Sequence, residues 1–451
     1  MKTTLNFIAS LIIGTQALLA ADRPNFIVIY TDDQGYGDTS MYGKKGILTP
    51  HMDRIAKEGM LFTRMRANCT VCTPSRAALI TGIYADRAGA PGVIRNERSR
   101  SWGYLDPKVP TIADELNKLG YHTALIGKWH LGLQEPNTPN GRGFEFFHGL
   151  LGDMMNDYYH HKRGGVNWLR KNKEVIEGGG IHATDLFTNW ADDYLKERST
   201  KKEPFFLFLA YNAPHFPIQP PKEWVEKVQK REPGMSEGRV KAVAFVEHTD
   251  DQIGRILKAL DDYKLADNTV IFFTSDNGGS SSHFQENDPW RGGKQDHYDG
   301  GLMVPFCVRW PGTVKAGSKT NYQGLTFDIF STCVEAAGGT PSDNLDAVSL
   351  LPLLKGEDFS TPDRELYFVR REGGGDRAGM AYHALIKDGY KLMHNRPMSP
   401  LELYNIKDDP QETTDLFKKE PERAKRMINR MERHIQRGGM TPWMGPLPEK
   451  K

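Results

Sequence analysis

Four short apolar runs, each followed by polar residues, constrain the fold of this chain more than any other feature. The runs are rich in β-branched or aromatic residues and cover positions 26–30, 123–126, 205–210 and 269–273. Continuous apolar runs of this length are typical of strands that are buried on both faces of a parallel sheet. We therefore predict an α/β fold with a large, doubly wound, mixed or parallel sheet flanked by helices.

Helical patterns lie between the apolar runs, as such a fold requires. Thr111 is a predicted N-cap and Gly120 a predicted stop, and Ile112 and Leu116 lie on one face of the helix between them. Residues 243–265 repeat apolar side chains at the same spacing. Alternating strands and helices support the α/β prediction.

The character of the sequence changes near residue 340. Beyond it we predict short antiparallel strands at residues 365–371, 380–393 and 401–406, turns at 373–375 and 388–389, and a charged helix at 420–438. We therefore divide the mature chain into a large α/β domain, residues 22–340, and a smaller C-terminal α+β subdomain with an antiparallel sheet, residues 341–451.

Residues 1–21 have the layout of a secretory signal peptide. Lys2 precedes the apolar stretch Leu5–Leu19, and the small residues Ala20 and Ala21 follow. A membrane anchor is the alternative interpretation of this segment. After residue 21, no apolar run is long enough to span a bilayer. We expect a secreted or periplasmic protein without stable membrane insertion.

The charge balance and the cysteine count exclude two classes of protein. Lys and Arg number 59 against 57 Asp and Glu, a formal net charge of +2, so no overall field attracts nucleic acid. The 451-residue chain has four cysteines, too few for a disulfide-dense scaffold. The sequence does not decide whether two of the four, Cys69, Cys72, Cys307 and Cys333, form a disulfide.

Polar side chains follow all four predicted strands. A lone Asp after a strand is usually a turn or cap residue, but four strands with such an ending point to a shared site. Open α/β sheets bind their ligands at the carboxyl ends of the strands. The polar residues are, strand by strand, Asp32 and Asp33, Lys128 and His130, His215, and Asp276 and Asn277.

The spacing of Cys69 and Cys72 suggests a zinc or a redox site, but the rest of the chain supports neither. A zinc site needs four ligands, and no second pair of Cys or His residues has a suitable spacing. A thioredoxin-like pair belongs to a short fold whose other features are missing. Neither interpretation explains the Pro-Ser-Arg sequence at residues 74–76, and Cys69 is interpreted as a buried, inert thiol.

The segment CTPSRAALITG, residues 72–82, resembles the signature of the type I sulfatases of the alkaline-phosphatase-like superfamily. In that family the Cys of a Cys-x-Pro-x-Arg core is oxidised to Cα-formylglycine. Other segments resemble sulfatase segments in the expected order, and the resemblance covers nearly the whole mature chain. They are RPNFIVIYTDDQGYGD, LGYHTALIGKWHLG, GRGFEFFHG, NAPHFPIQPP, TVIFFTSDNGG, WRGGKQDHYDGGLMVPFCVRWPG and LELYNIKDDPQETTDL.

The resemblance implies a sulfuric ester hydrolase, similar to bacterial secreted arylsulfatases and carbohydrate sulfatases, whose catalytic domain spans residues 22–340. Cys72 would be converted to formylglycine, which requires a formylglycine-generating enzyme as a partner during maturation. In the family the aldehyde hydrates to a gem-diol. One hydroxyl attacks sulfur, and the second then expels sulfate and restores the aldehyde.

Asp32, Asp33, Asp276 and Asn277 offer oxygen ligands, which suit a hard cation such as Ca²⁺ or Mg²⁺. The resemblance implies that these four residues hold one Ca²⁺ per chain, which also contacts the formylglycine formed from Cys72. Such a cation would lower the pKa of the nucleophile and neutralise charge on the sulfuryl group.

The resemblance also implies roles for five basic residues. Arg76 lies one helical turn after the modified cysteine, so it would bind both the formylglycine hydrate and a metal-binding carboxylate. Lys128 and His130 would hold the hydrate, and His130 would accept the proton that triggers sulfate release. Positions i and i+2 of an extended segment share a face, which favours one pocket for this pair. His215 and Lys294 would bind sulfate and protonate the leaving alcohol.

Two inserts are expected to select the substrate. Residues 86–100 contain four Arg against two acidic residues, and residues 156–172 mix aromatic and basic side chains, including Tyr158, His161 and Trp168. Aromatic faces stack on sugar rings, and basic groups bind sulfates or carboxylates. A sulfated glycan or its oligosaccharides are therefore the expected substrate, unless these loops are merely solvated.

Three alternatives stay open. One is a phosphodiester or phosphonate monoester hydrolase of the same superfamily. Another is an inactive protein that binds sulfated glycans, although the chain keeps all ten implied site residues. The third is a redox protein based on Cys69 and Cys72.

Overall fold

The computed structural model describes residues 23–96, 100–360, 363–372, 381–396, 398–442 and 444. The predicted signal peptide and the predicted turn at residues 373–375 lie outside the described residues. Over the described part of the chain, every helix is too short or too polar to cross a bilayer.

A ten-stranded mixed sheet forms the centre of the molecule, and a separate two-stranded hairpin, β5 and β6, lies beside it. In chain order the strands are β1 (Asn25–Thr31), β2 (Met60–Phe62), β3 (His122–Lys128), β4 (Phe146–Leu150), β5 (Lys162–Arg163), β6 (Val166–Asn167), β7 (Leu169–Lys171), β8 (Glu174–Val175), β9 (Phe205–Ala210), β10 (Thr269–Ser275), β11 (Phe306–Arg309) and β12 (Ser318–Thr320).

The spatial order of the sheet is β12-β2-β11-β10-β1-β9-β3-β4-β7-β8. The five central strands, from β10 to β4, run parallel. Strands β11 and β7 pair antiparallel to this core at its two sides. All four strands predicted from apolar runs are in the parallel core, which confirms the prediction of a mixed α/β sheet.

Helices cover both faces of the sheet, and the side chains of β1 show why its sequence is continuously apolar. Phe26, Val28 and Tyr30 belong to one buried apolar cluster, and Ile27 and Ile29 belong to a second one on the opposite face. The α-helices are α1 (Pro50–Lys57), α2 (Cys72–Thr81), α3 (Ile112–Lys118), α4 (Ala183–Arg198), α5 (Lys222–Arg231), α6 (Glu237–Asp262), α7 (Asp299–Leu302), α8 (Asp328–Ala336), α9 (Leu351–Lys355) and α10 (Pro421–Gly438).

The start and stop signals of the predicted helices are observed. Thr111 and Asp114 form a reciprocal capping box at the start of α3, and Gly120 has a left-handed φ of +76° after its end. Helix α6 begins six residues before the predicted start at residue 243, because Ser236 caps it by accepting a hydrogen bond from the Arg239 amide.

The C-terminal part contains the predicted antiparallel sheet. Its strands pair in chain order and are β13 (Leu366–Arg371), β14 (Ala381–Lys387), β15 (Tyr390–His394) and β16 (Glu402–Asn405). Helix α10 packs Met427 and Met431 into the same apolar cluster as Leu385 and Leu392. Ala78 of α2 belongs to this cluster as well, so the C-terminal sheet packs against the helix that begins at Cys72. The boundary between residues 340 and 341 stays a prediction.

A buried ionic cluster also joins the two parts, and we call it the clamp cluster: Arg66, Asp299, Lys391 and Glu412. Two nitrogens of Arg66 bind the two carboxylate oxygens of Asp299 at 3.0 and 2.6 Å. Lys391 Nζ lies 2.7 Å from both Asp299 and Glu412 and donates to the His297 carbonyl. Because Asp299 lies five residues after Lys294, the cluster ties the C-terminal sheet to the Lys294 loop.

Candidate active site

Six charged residues meet at the carboxyl ends of the parallel strands, and we call them the strand-end cluster. They are Asp32, Asp33, Arg76, Lys128, Asp276 and Lys294. Five are at most 1% exposed, and the Lys294 side chain is 15% exposed. The loops that carry the cluster are joined by backbone bonds: the Asp32 amide donates to Ala213 and the Asp276 amide to Thr31. The structure therefore brings together the charged residues that the sequence predicts for one site.

Cys72 lies at the amino end of the buried helix α2, beside the strand-end cluster. Its side chain is 4% exposed, and its Sγ lies 3.8 Å from Lys294 Nζ. A helix amino terminus favours negative charge, so this position suits an anionic reacting group. Burial nevertheless raises the pKa of the thiol, against the charges of Lys128 and Lys294. An unmodified Cys72 would therefore be a poor thiolate nucleophile.

Cys69 belongs to a different environment. Its Sγ donates a hydrogen bond to the Val369 carbonyl in β13, and burial raises the pKa of its thiol to about 11. All four cysteines are free thiols in the structure. These features support the prediction that Cys69 is a structural residue, and they give no support to a redox pair.

Asp32 is fully buried between two basic side chains. Its Oδ2 lies 2.5 Å from Lys128 Nζ, and its Oδ1 lies 3.7 Å from an Arg76 nitrogen. Burial favours the neutral acid, but the charges of Lys128, His215 and Arg76 hold the pKa of Asp32 well below its usual range. Gly127, which precedes the lysine, has φ +106°, and a Cβ there would lie 1.9 Å from the Ala210 carbonyl. Close contact between β3 and β9 thus fixes where Lys128 leaves the sheet.

Asp33 connects most of the site. It has a left-handed φ of +64°, its Oδ2 lies 2.7 Å from Lys294 Nζ, and its Oδ1 accepts a hydrogen bond from the Asn277 side chain. His215 Nε2 lies 3.6 Å from the same Oδ2. Burial opposes ionisation, but Lys294 lowers the pKa of Asp33, and in return Asp33 raises the pKa of Lys294 despite its burial. Both groups are therefore charged.

Asp276 links the metal-ligand candidates to helix α2. Arg76 Nε and one terminal nitrogen donate to its Oδ2 at 3.1 and 2.9 Å, and its Oδ1 accepts the Asp33 amide. Burial, followed by the charge of Asp32, raises the pKa of Asp276 to about 8, although Arg76 opposes this shift. Three buried carboxylates repel one another here, and a divalent cation would remove that repulsion.

The residues present fit a hard cation. Asp32 Oδ1 and Asn277 Oδ1 are buried and have no hydrogen-bond partner within the described structure. A group of four possible ligand atoms also lies within 4.8 Å of one another, one atom each from Asp32, Asp33, Cys72 and His215. Buried polar atoms are rarely left unpaired, so free oxygens in this position indicate a missing partner. Asp32, Asp33, Asp276 and Asn277 are the oxygen ligands that could hold such an ion.

His130 is close to the cluster, but for a different reason from the predicted one. Strand β3 ends at Lys128, and His130 has a left-handed φ of +63°, so the alternation of an extended strand does not position it. Its Nε2 bonds the Ile94 carbonyl at 2.8 Å, which leaves Nδ1 buried and without a partner among the described residues. Burial, then the charges of Lys128 and Arg76, lower its pKa well below the usual range. The ring is therefore neutral and has one free nitrogen.

His215 follows β9 and is held in place by a residue of the second insert. Its Nδ1 bonds the Phe216 carbonyl at 2.6 Å, which directs Nε2 towards Asp33. The Tyr158 hydroxyl lies 2.9 Å from the carbonyl oxygens of both Asn212 and His215. Burial and then the charge of Lys294 lower the pKa of His215.

The two inserts supply both structural residues and a cavity wall. Tyr158 and His161 are buried, so they support the loops rather than offer rings to a substrate. Arg95 and Asn96 of the first insert and Trp168 of the second line one cavity of about 400 Å³. The neighbouring Ile94 and Leu131 also line it, which positions the cavity beside His130.

Two further residues near the site are in contact, and the sequence assigns a role to neither. His283 lies in the loop after β10, and Phe216 directly follows His215. Their rings stack with centroids 4.9 Å apart. The two residues are 67 positions apart in a pattern without periodicity, so only the fold reveals their contact.

Family profiles match most of the chain. The profile "Sulfatase" matches residues 24–339, and the profile "N-sulphoglucosamine sulphohydrolase, C-terminal" matches residues 293–438. Together the two profiles cover the central sheet and the C-terminal sheet.

Similar proteins of known name and of known structure indicate the same family. Human N-acetylgalactosamine-6-sulfatase is 32% identical over 379 residues, 79% of this chain and 70% of that protein. Human steryl-sulfatase is 30% identical, over 77% of this chain and 72% of that protein. The crystal structure of Ps i-CgsB in complex with k-i-k-neocarrahexaose is 30% identical, with a TM-score of 0.84 over 94% of this chain and 95% of that chain. The named sulfatases are sulfuric ester hydrolases, and this chain belongs to their family, the sulfatases, within the alkaline-phosphatase-like superfamily.

Proposed function

We propose that this protein removes sulfate from glycans or their oligosaccharides, using a formylglycine made from Cys72 and one bound Ca²⁺. The observation that carries the proposal is the position of Cys72 at a helix amino terminus beside three buried carboxylates, where Asp32 Oδ1 and Asn277 Oδ1 have no hydrogen-bond partner among the described residues. This arrangement combines an anion site with ligands for a hard cation.

The two groups that the chain would acquire supply distinct chemistry. Ca²⁺, held by Asp32, Asp33, Asp276 and Asn277, would neutralise charge that develops on the sulfuryl group. Formylglycine would supply an oxygen nucleophile where the buried thiol of Cys72 is a poor one.

The chain's own residues bind and orient the sulfate ester. Arg76, Lys128 and Lys294 balance the three carboxylates, so one bound divalent cation leaves the site with a net charge of about +2 that attracts an anionic ester. Lys294 and His215 flank Asp33 on one side. A bound sulfate favours the protonated form of His215, so both residues can then bind sulfate oxygens and protonate the leaving oxygen. The free Nδ1 of neutral His130 can accept a proton from the group at position 72.

The cavity beside His130 and two of the relatives support a carbohydrate substrate. The Trp168 indole nitrogen and Asn96 Oδ1 have no partner among the described residues, and both side chains line that cavity. An aromatic face with polar groups suits a sugar ring better than a steroid or a simple aryl group. The name of human N-acetylgalactosamine-6-sulfatase specifies a sulfated N-acetylgalactosamine, and Ps i-CgsB was solved in complex with k-i-k-neocarrahexaose.

The proposal includes export. A signal peptide at residues 1–21 would direct the chain to the periplasm or to the outside of the cell. The amino-terminal sequence of the protein recovered from its native host tests this directly. A mature chain that begins near Ala21 or Asp22 is expected, and an uncleaved Met1 would contradict it.

The function is tested by measuring the release of free sulfate and free phosphate from one panel of substrates. The panel contains sulfated glycans, their oligosaccharides, sulfated monosaccharides, and phosphodiesters, and Cys72→Ala is the control. Sulfate release from a glycan class, absent in the control, is the expected result. Faster phosphate release would instead support the phosphodiester hydrolase alternative. No release by protein with confirmed formylglycine would contradict the proposal.

A further inference from the structure

We infer that Phe216 and His283 form a carbohydrate-stacking subsite at the mouth of the active site, next to the groups proposed to protonate the leaving oxygen. The inference rests on the proposed function and specifies where the sugar that loses its sulfate is held. It concerns two residues to which neither the sequence analysis nor the mechanism assigns a role.

The two rings are positioned beside the reacting groups. Phe216 follows His215 directly, and its ring stacks on His283 with an angle of 20° between the planes. Burial lowers the pKa of His283, and the charges of Asp33 and Lys294 both act on it as well. The pair therefore lies on the His215 and Lys294 side of the site.

The pair is also held firmly. Gln285 is 3% exposed, and its side-chain nitrogen donates to the Pro214 carbonyl at 2.9 Å. Its side-chain oxygen accepts the Ser280 amide at 2.7 Å. These bonds join the loop after β9 to the loop after β10, so the backbones that carry the two rings are held next to each other.

The chemistry of the pair fits a sugar. Phe216 is 46% exposed, which leaves part of its ring open to solvent. His283 is partly exposed, and its Nδ1 is buried without a partner within the described structure, so a rotation of the ring would present this nitrogen to a ligand hydroxyl. An apolar ring face next to an unpaired polar atom matches the C–H face and hydroxyl edge of a pyranose.

Phe284 provides an internal contrast. It is 52% exposed, so exposure alone would make it an equal candidate. Its ring, however, packs against helix α6, where a Cβ added at Gly238 would lie 2.4 Å from it. Phe284 therefore serves as a matched control.

The test uses steady-state kinetics on the carbohydrate sulfate from which the wild-type protein releases sulfate fastest in the panel above. Phe216→Ala should raise KM about tenfold and His283→Ala about threefold or more, with kcat within about threefold of wild type. Phe216→Tyr, which keeps a stacking ring, and Phe284→Ala should both retain the wild-type KM.

A second readout separates stacking from damage to the sulfate pocket. Inorganic sulfate inhibits through that pocket alone, so its inhibition constant should be the same in Phe216→Ala and wild type. A parallel rise of this constant and of KM would show that Phe216 acts through His215, which would overturn the subsite. Unchanged KM in both alanine variants would overturn the subsite but leave the proposed function intact. No sulfate release by wild type would overturn both.

Discussion

The strand-end cluster and the clamp cluster are both buried and both balanced in charge, yet they differ in how completely they are bonded. The clamp cluster has two acids and two bases, and every charged atom in it has a hydrogen-bond partner. The strand-end cluster has three of each, but Asp32 Oδ1 and the neighbouring Asn277 Oδ1 have none among the described residues.

This difference separates a structural role from a binding role. A buried ion pair with complete bonding is expected to hold two parts of a fold together, and removing one member leaves an uncompensated charge. A buried cluster with unpaired oxygens is incomplete until a ligand binds. We therefore expect changes in the clamp cluster to act on stability, and changes in the strand-end cluster to act on metal binding and turnover.

The largest expected effect is on turnover, at the residue that the strand-end cluster surrounds. Cys72→Ala should reduce sulfate release by about 10⁴-fold or more, because the nucleophile is lost. Cys69→Ala, a matched control in the same segment, should keep substantial activity. Both are checked by sulfate release at equal concentrations of folded protein. Substantial activity in Cys72→Ala would refute the assignment of the nucleophile.

Lys391 and Lys294 are each bound to an Asp, and replacing each in turn compares the two clusters directly. Lys391→Met leaves Glu412 without a cation and Asp299 with Arg66 alone, and it should cost about 3–5 kcal/mol of stability. The folded fraction should keep its kcat. Lys294→Met should lower kcat/KM by about 10²–10⁴-fold, because it removes a group that binds sulfate and donates a proton.

For Lys391→Met and Lys294→Met, urea unfolding at saturating Ca²⁺ measures stability and steady-state kinetics measure kcat and kcat/KM. Added Ca²⁺ should limit the loss of stability in Lys294→Met, because Asp33 then keeps a positive partner. The opposite pattern, a stable but inactive Lys391→Met or an unstable but active Lys294→Met, would contradict the division of roles.

Calcium should act on one cluster only. At about 100 times its dissociation constant, Ca²⁺ should stabilise the protein by about 2.7 kcal/mol, and a chelator should reverse this. Asn277→Ala removes a proposed ligand and should reduce the shift in unfolding temperature, whereas Lys391→Met should retain it. Equal shifts in wild type and Asn277→Ala would place the ion elsewhere.

The smallest expected effect is on acid stability, through the clamp cluster. Burial opposes ionisation of Asp299, but Arg66 and Lys391 hold its pKa well below the ordinary value of 3.8. A folded-state pKa below the unfolded one adds stability above pH 3.8 that is lost as the pH falls towards the folded-state pKa. The difference in unfolding free energy between wild type and Asp299→Asn should therefore shrink below about pH 4. A difference that is constant with pH would show that the charge of Asp299 contributes nothing.

Much of the fold could be predicted because the parallel core is buried on both faces. Strands such as β1 and β10 are then continuously apolar, and their polar endings mark one edge of the sheet. Strands β2, β11 and β12 have three or four residues each, too few to show a pattern, and the sequence did not identify them. The C-terminal strands were recognisable because turn residues separate them.

The site was predictable where a residue directly follows a strand or shares a helix turn, as Arg76 does with Cys72. The position of a side chain was not predictable where a backbone turn or a tertiary contact sets it, even for a residue that the sequence assigned to the site. His130 reaches the cluster through a left-handed residue rather than through strand alternation. Tyr158 supports the His215 loop by a contact across 57 positions, and no local pattern marks it.

The most direct test of the central claim relates activity to the chemical state of Cys72. The protein is prepared with and without co-produced formylglycine-generating enzyme, and mixtures of the two give a range of aldehyde contents. Peptide mass spectrometry measures the aldehyde fraction at Cys72, and sulfate release from the best glycan substrate measures activity. We expect activity to be proportional to the aldehyde fraction and to vanish with it. Equal activity in protein without the aldehyde would contradict the account.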